Sequence, residues 1–116
     1  MPEQILVVED DRHMRGLVAL ALKQAGYRVQ TAEDGVEALG LVAGSEFDLI
    51  ICDVVMPGLD GRGLAEQLAE RPAHPPLLFI SAVEDRPATL PGAFLKKPFR
   101  LEVLVNLVGE LIRRRR

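Results

Sequence analysis

Three short runs in this chain contain no polar residue at all: Ile5-Leu6-Val7-Val8, Leu49-Ile50-Ile51-Cys52 and Leu77-Leu78-Phe79-Ile80. A strand that keeps one face in water alternates apolar and polar residues, because successive side chains point to opposite faces. Runs with no alternation must be covered on both faces, the situation of strands inside a parallel sheet flanked by helices. Two weaker stretches, Tyr27 to Ala32 and Ala93-Phe94-Leu95, have strand character. Five strands separated by helical segments predict an α/β fold, a doubly wound parallel sheet with helices on both faces.

The intervening segments carry helical spacing. Met14, Leu17, Val18, Ala21, Leu22 and Ala25 form one apolar stripe, with Asp11 placed to cap its start and Gly26 to end it. Val36, Leu39, Gly40 and Ala43 mark a shorter helix that stops near Gly44. The turn-rich Met56-Pro57-Gly58-Leu59-Asp60-Gly61 leads to a helix with Leu64, Ala65 and Leu68 inward and Asp60 as its cap. The last helix begins near Arg100 and turns Leu101, Leu104, Val105, Val108, Leu111 and Ile112 to one side. With no linker, repeat or low-complexity stretch among 116 residues, the expectation is one domain spanning 1–116.

Charge narrows the function classes. Seventeen acidic residues face fourteen basic ones, and four of the latter are the terminal Arg113 to Arg116. Setting those aside leaves ten cations against seventeen acids, a balance of −7, which argues against direct nucleic-acid binding. No apolar run approaches the ~20 residues of a membrane span. The start of the chain carries no secretory signal, and the lone Cys52 fits a reducing compartment, so a cytoplasmic location is expected. Cys52 reads as a core residue, and His13 and His74 have no partner at metal-ligand spacing. The glycines Gly58, Gly61 and Gly63 do not follow the dinucleotide-loop order and are assigned to loop and helix-start geometry. The terminal arginines are read as a solvated helix end that suits the helix dipole.

The chemistry lies where the apolar runs stop. In open parallel sheets, ligands bind beyond the carboxyl ends of the strands. Here those ends carry Glu9-Asp10-Asp11, Asp53, Ser81 and Lys96-Lys97. Strands lie ~4.8 Å apart, so carboxylates on neighbouring ends come within about 5–6 Å. Each such pair costs ~3 kcal/mol at an effective dielectric near 20. A divalent cation with a taste for hard oxygen ligands, Mg²⁺, would offset that repulsion. Lys97 and Ser81 complete a cradle for an anion such as a phosphoryl group carried on a carboxylate.

These residues fall in four segments: Ile5-Leu-Val-Val-Glu-Asp-Asp11, Asp48-Leu-Ile-Ile-Cys-Asp-Val-Val-Met-Pro-Gly-Leu-Asp-Gly61, Phe79-Ile-Ser-Ala82 and Phe94-Leu-Lys-Lys-Pro-Phe99. In that order and spacing, the chain resembles the receiver domain of bacterial two-component response regulators, of the chemotaxis-regulator kind, over nearly its whole length. The resemblance implies a flavodoxin-like sheet in the order 2-1-3-4-5. It implies a phosphoacceptor switch in a phosphorelay, with Asp53 taking a phosphoryl group from a phosphohistidine of a sensor histidine kinase or phosphotransfer protein. Asp10 and Asp53 would ligate Mg²⁺ directly, Glu9 through water, and Val55 by its backbone carbonyl. Lys97 would pair with the phosphoryl oxygens, with Lys96 a solvated neighbour, and Asp53 and Lys97 would together carry the transfer. Ser81 would hydrogen-bond the phosphoryl group, and Phe94 would swing inward as Ser81 moves. Ala82 matches a small residue that leaves access to the acceptor, and Pro98 matches a proline often preceded by a cis peptide bond.

The resemblance also has departures. Ser81 and Lys97 are sixteen residues apart, about six fewer than usual in the family. The shortened stretch, Val83 to Gly92, contains Pro87 and Pro91, so a short or irregular segment is expected where relatives place their fourth helix. That helix belongs to the usual output and dimer face, so a monomer or weak dimer is expected, acting on a downstream protein or an attached output domain. Val55 and Val83, apolar beside the acceptor, suggest slow self-dephosphorylation. Two other classes stand beside the switch: a phosphorylation-independent adaptor, and a Mg²⁺-dependent phosphohydrolase working through an aspartyl phosphate. The second usually needs an aspartate two residues after the nucleophile, where this chain has Val55. The domain is therefore not expected to be an enzyme beyond phosphorylating and dephosphorylating itself.

Overall fold

A computed structural model describes residues 2–71, 73–82 and 92–115. The three apolar runs become the central strands β1 (Gln4–Val8), β3 (Leu49–Asp53) and β4 (Leu77–Ser81). Two less apolar strands, β2 (Arg28–Ala32) and β5 (Ala93–Lys96), close the edges. All pairings are parallel and the order is β2-β1-β3-β4-β5, as the resemblance implied. The edge position explains why β2 and β5 need not be fully apolar: each has a sheet neighbour on one side only.

Among the described residues, four helices cover the faces: α1 (Arg12–Gln24), α2 (Gly35–Gly44), α3 (Gly61–Ala69) and α4 (Leu101–Arg115). Alternation along the central strands splits the core in two. Leu6, Val8, Ile50, Cys52, Leu77 and Phe79 pack towards Ala38 of α2 and Leu64, Ala65 and Leu68 of α3. Ile5, Val7, Leu49, Ile51, Leu78 and Ile80 pack towards Val18 and Leu22 of α1 and Leu104, Val108 and Ile112 of α4. Each fully buried Leu or Ile contributes roughly 1.5–3 kcal/mol relative to exposure, so two continuous layers fix the sheet firmly between its helices.

Local chemistry starts and stops the helices as expected. Asp11 caps α1, accepting from the His13 and Met14 amides at 2.9 and 3.1 Å. Asp60 caps α3 through the Gly63 amide at 2.9 Å, and Asp34 caps α2 through Glu37 at 2.8 Å. Gly26 follows α1 at φ 101°, a conformation that favours glycine.

Three details differ from the sequence expectation. Leu17 lies at the edge of the α1 stripe, 39% exposed, and Ala25 is exposed too, while Ala19 is buried. In α2, Val36 is 68% exposed, and Gly35 and Ala38 face inward instead. Apolar residues occupy most of α2, so periodicity alone admits more than one face. The face is set by Gly35, whose amide donates to the Leu59 carbonyl at 3.1 Å and where a Cβ would collide with that same carbonyl. Finally, Arg115 is not simply solvated. Its guanidinium donates to the Asp48 and Phe47 carbonyls at 2.8 and 3.3 Å, tying the end of α4 to the start of β3. The irregular segment expected at 83–92 falls, for residues 83–91, outside the described residues.

Candidate functional site

Register brings the strand ends to one level. Val8 is opposite Cys52, Asp53 opposite Ile80, and Ser81 opposite Lys96. Glu9, Asp53, Ser81 and Lys97 therefore emerge side by side along one edge of the sheet. Among the described residues, the buried polar side chains are Glu9, Asp53 and Ser81, at 0, 6 and 1% exposure. Burial of polar groups is costly unless they are paired. That all three sit at the same strand ends marks this as the site.

Lys97 supplies the pairing. Its Nζ donates to Asp53 Oδ2 at 2.6 Å and to Glu9 Oε1 at 2.8 Å. Burial works against the lysine's charge, but the two carboxylate hydrogen bonds outweigh it and hold the ammonium pKa above its usual value. Glu9 goes the other way. Desolvation dominates, and although the Lys97 and Asp11 hydrogen bonds oppose it, the carboxyl is pushed up to about 7. The Asp11 amide donates to Glu9 Oε2 at 3.2 Å, so both oxygens of this carboxylate are held.

The Asp53 carboxylate is oriented at both oxygens as well, Oδ2 by Lys97 and Oδ1 by the Val55 amide at 3.0 Å. A carboxylate has about four lone-pair sites, so two remain for a cation or an incoming electrophile. Behind it, Gly61 packs so closely that a Cβ there would lie 2.5 Å from the Asp53 carbonyl and 2.9 Å from Val54 Cα. The glycine thus lets α3 start directly beneath the end of β3. Cys52, the residue before Asp53, packs into the α2/α3 layer. Its thiol lies 3.3 Å from the Asp53 carbonyl, and burial pushes its pKa far up, which leaves it an inert core residue.

Glu9, Asp10 and Asp53 each offer an oxygen within 4.8 Å of the others, two from buried residues and one from an exposed one. An all-oxygen set open to solvent on the Asp10 side suits a hard divalent cation that keeps part of its water, which describes Mg²⁺. Histidines are absent from this cluster. His13 is exposed at the start of α1, and His74 Nδ1 lies 3.0 Å from the Pro75 carbonyl at the other end of the sheet.

The remaining sequence-marked residues surround this centre. Val55 is 67% exposed at its mouth. Ala82 is exposed just past Ser81, and Lys96 is exposed beside Lys97. Phe94 is half-buried on β5, against the α2/α3 layer. The Lys97–Pro98 peptide bond is cis. Sequence reading missed two contacts: the Lys97–Glu9 ion pair and the role of Arg15, whose guanidinium donates to the Glu9 carbonyl at 2.9 Å. Arg15 lies five and six residues beyond the carbonyls it reaches, a contact set by how α1 leaves β1 and carrying no local signal in the sequence.

Comparison with known proteins agrees with this fold. The family model described as response regulator receiver domain matches residues 5–109. The response regulator MprA of Mycobacterium sp. (strain KMS) is 42% identical over 98% of this chain and 52% of its own length. The transcriptional regulatory protein TcrA of Mycobacterium tuberculosis (strain ATCC 25618 / H37Rv) is 38% identical over 96% of this chain and 46% of its own. The chain thus spans about half the length of these curated relatives. The solved structure of the Francisella response regulator 1452 receiver domain superimposes with a TM-score of 0.90 at 28% identity, over 98% of this chain and 99% of that one. The chain belongs to the receiver domain family of two-component response regulators.

Proposed function

We propose that residues 1–116 form one receiver unit that accepts a phosphoryl group on Asp53 and so switches its partner-binding surface. The observation that carries this reading is the buried Glu9–Lys97–Asp53 triplet, with Asp10 beside it at the open side of the sheet. A merely structural sheet has no use for two buried carboxylates at adjacent strand ends.

In this reading the donor is a phosphohistidine of a sensor kinase or phosphotransfer protein. The N–P bond breaks with its electron pair returning to the imidazole, and an Asp53 oxygen forms the new O–P bond. Asp53 is presented by Lys97 and the Val55 amide at fixed orientation, so little reorganisation is needed. Asp10 and Asp53 would hold Mg²⁺ directly, Glu9 through water and Val55 through its carbonyl; bound there, the ion would offset the negative charge at Asp53. Lys97 follows the phosphoryl oxygens, and Ser81, buried at the next strand end, donates to one of them. Phe94 then moves with Ser81 and changes the outer surface.

The catalytic contribution ends with transfer to and loss from Asp53 itself, so the domain is a signalling element in a cytoplasmic phosphorelay. Its output goes to a downstream protein or an attached domain. Phosphoramidate carries the same P–N linkage as phosphohistidine and tests the reading without a kinase. With Mg²⁺ present, the intact mass should show one phosphoryl adduct, and chelation with EDTA should prevent it. Failure to form an adduct with Mg²⁺ overturns the proposal in favour of a phosphorylation-independent adaptor.

A further inference from the structure

The turn that carries Glu9 and Asp10 is braced from behind by a residue with no contact to the acceptor. Arg15 Nη1 donates to the Glu9 carbonyl at 2.9 Å and reaches the Asp10 carbonyl at 3.5 Å. The side chain is largely buried, 14% exposed, and its other nitrogen lies 3.7 Å from Glu33 in the β2–α2 connection. The Glu9 amide donates to the Ala32 carbonyl at 3.1 Å, so the turn is anchored on the β2 side as well. One guanidinium thus links the start of α1, the end of β1 and the connection after β2. Its hydrogen bonds fix the peptide planes on either side of Asp10, and those planes determine where the exposed Asp10 carboxylate projects.

We infer that Arg15 is a positioning residue for the cation site: it holds the Glu9–Asp10 turn in the geometry that lets these carboxylates and Asp53 act on one divalent ion. The inference rests on the reading of this cluster as a Mg²⁺ site. Partners one layer behind metal ligands typically govern 10–100-fold of metal affinity, because they fix ligand orientation.

Charge and geometry make opposite predictions, which allows a decisive test. Arg15 is itself a cation near a cation site, so by electrostatics alone its removal should tighten Mg²⁺ binding. By positioning, its removal should loosen it. The experiment is calorimetric titration of the full chain with MgCl₂ at fixed ionic strength, for wild type, Arg15→Met and Arg15→Lys, with unfolding of each metal-free protein measured alongside. Expected for Arg15→Met is a roughly tenfold or greater rise in the Mg²⁺ dissociation constant. Arg15→Lys keeps the charge but loses the fork, so it should fall between the two. Unchanged or tighter binding by folded Arg15→Met overturns the inference. Should Arg15→Met fail to fold, wild-type affinity in Arg15→Lys overturns it. A variant with lowered metal-free stability but wild-type affinity assigns Arg15 a structural role only and likewise overturns it. Absence of Mg²⁺ binding by the wild type is distinguishable from all of these, since it overturns the cation-site reading and this inference with it.

Discussion

Two carboxylates and one ammonium share the centre of this site, and each controls the cost of the others. Lys97 contacts Glu9 and Asp53 within 2.8 Å, and both acids are buried. Removing one partner of a buried ion pair costs about 3–5 kcal/mol, and less here because the Lys97 side chain is 20% exposed. Lys97→Met is therefore expected to lose about 2–3 kcal/mol in metal-free buffer. Urea unfolding in EDTA measures this, and Mg²⁺ should restore part of the loss. Glu9 gives a pH signature. Its carboxyl titrates near 7 in the folded chain against an ordinary value of 4.5, because burial disfavours the anion. Between those two values the folded state binds more protons than the unfolded one, so stability falls as pH rises across that window and levels off above it. Glu9→Gln should abolish that slope, on the order of 2–3 kcal/mol between pH 5 and 8, in metal-free unfolding curves compared with wild type. Asp53 and Ser81 were legible in the sequence because each ends an apolar run, whereas Lys97 was told from Lys96 only by the family resemblance. Arg15 was not legible: on a surface helix an arginine is unremarkable, and only the fold shows the two carbonyls it serves.

At the level of elements, the site depends on how closely α3 approaches β3. Asp60 caps the helix, and Gly61 lets the first turn sit against the backbone of Asp53 and Val54. A methyl group at Gly61 meets backbone, which cannot step aside as a flexible side chain would. Gly61→Ala should cost about 1–3 kcal/mol and slow phosphoryl acceptance, because the Val55 amide that orients Asp53 lies in the same connection. Thermal unfolding and adduct formation over time check the two parts. The strands and the caps Asp11 and Asp60 were readable, since apolar runs and N-cap chemistry are local signals; the strand order came only from the family resemblance. The face of α2 was not. Its apolar residues surround the helix, and the choice rests on Gly35 meeting Leu59, a contact between residues distant in sequence.

Across the whole molecule, the sheet has two unlike poles. One holds the acidic cluster and Lys97. At the other, Asp48 accepts the Gln4 amide at 2.8 Å, and Arg115 reaches over to the carbonyls of Phe47 and Asp48. This clasp joins β1, β3 and the end of α4 through residues 67 and 68 positions apart, which no reading of the terminal arginines as a solvated run reveals. Arg115 is exposed, so Arg115→Ala should cost only about 0.5–1 kcal/mol in chemical unfolding and leave phosphoryl acceptance unchanged.

The Asp53 carboxylate, held by Lys97 and the Val55 amide, is the proposed phosphoryl acceptor. The most direct test of that role is the intact mass of wild type and Asp53→Asn after incubation with acetyl phosphate and Mg²⁺. One phosphoryl adduct on the wild type and none on Asp53→Asn is the predicted result. An equal adduct on both proteins, or none on a folded, Mg²⁺-bound wild type, would contradict it.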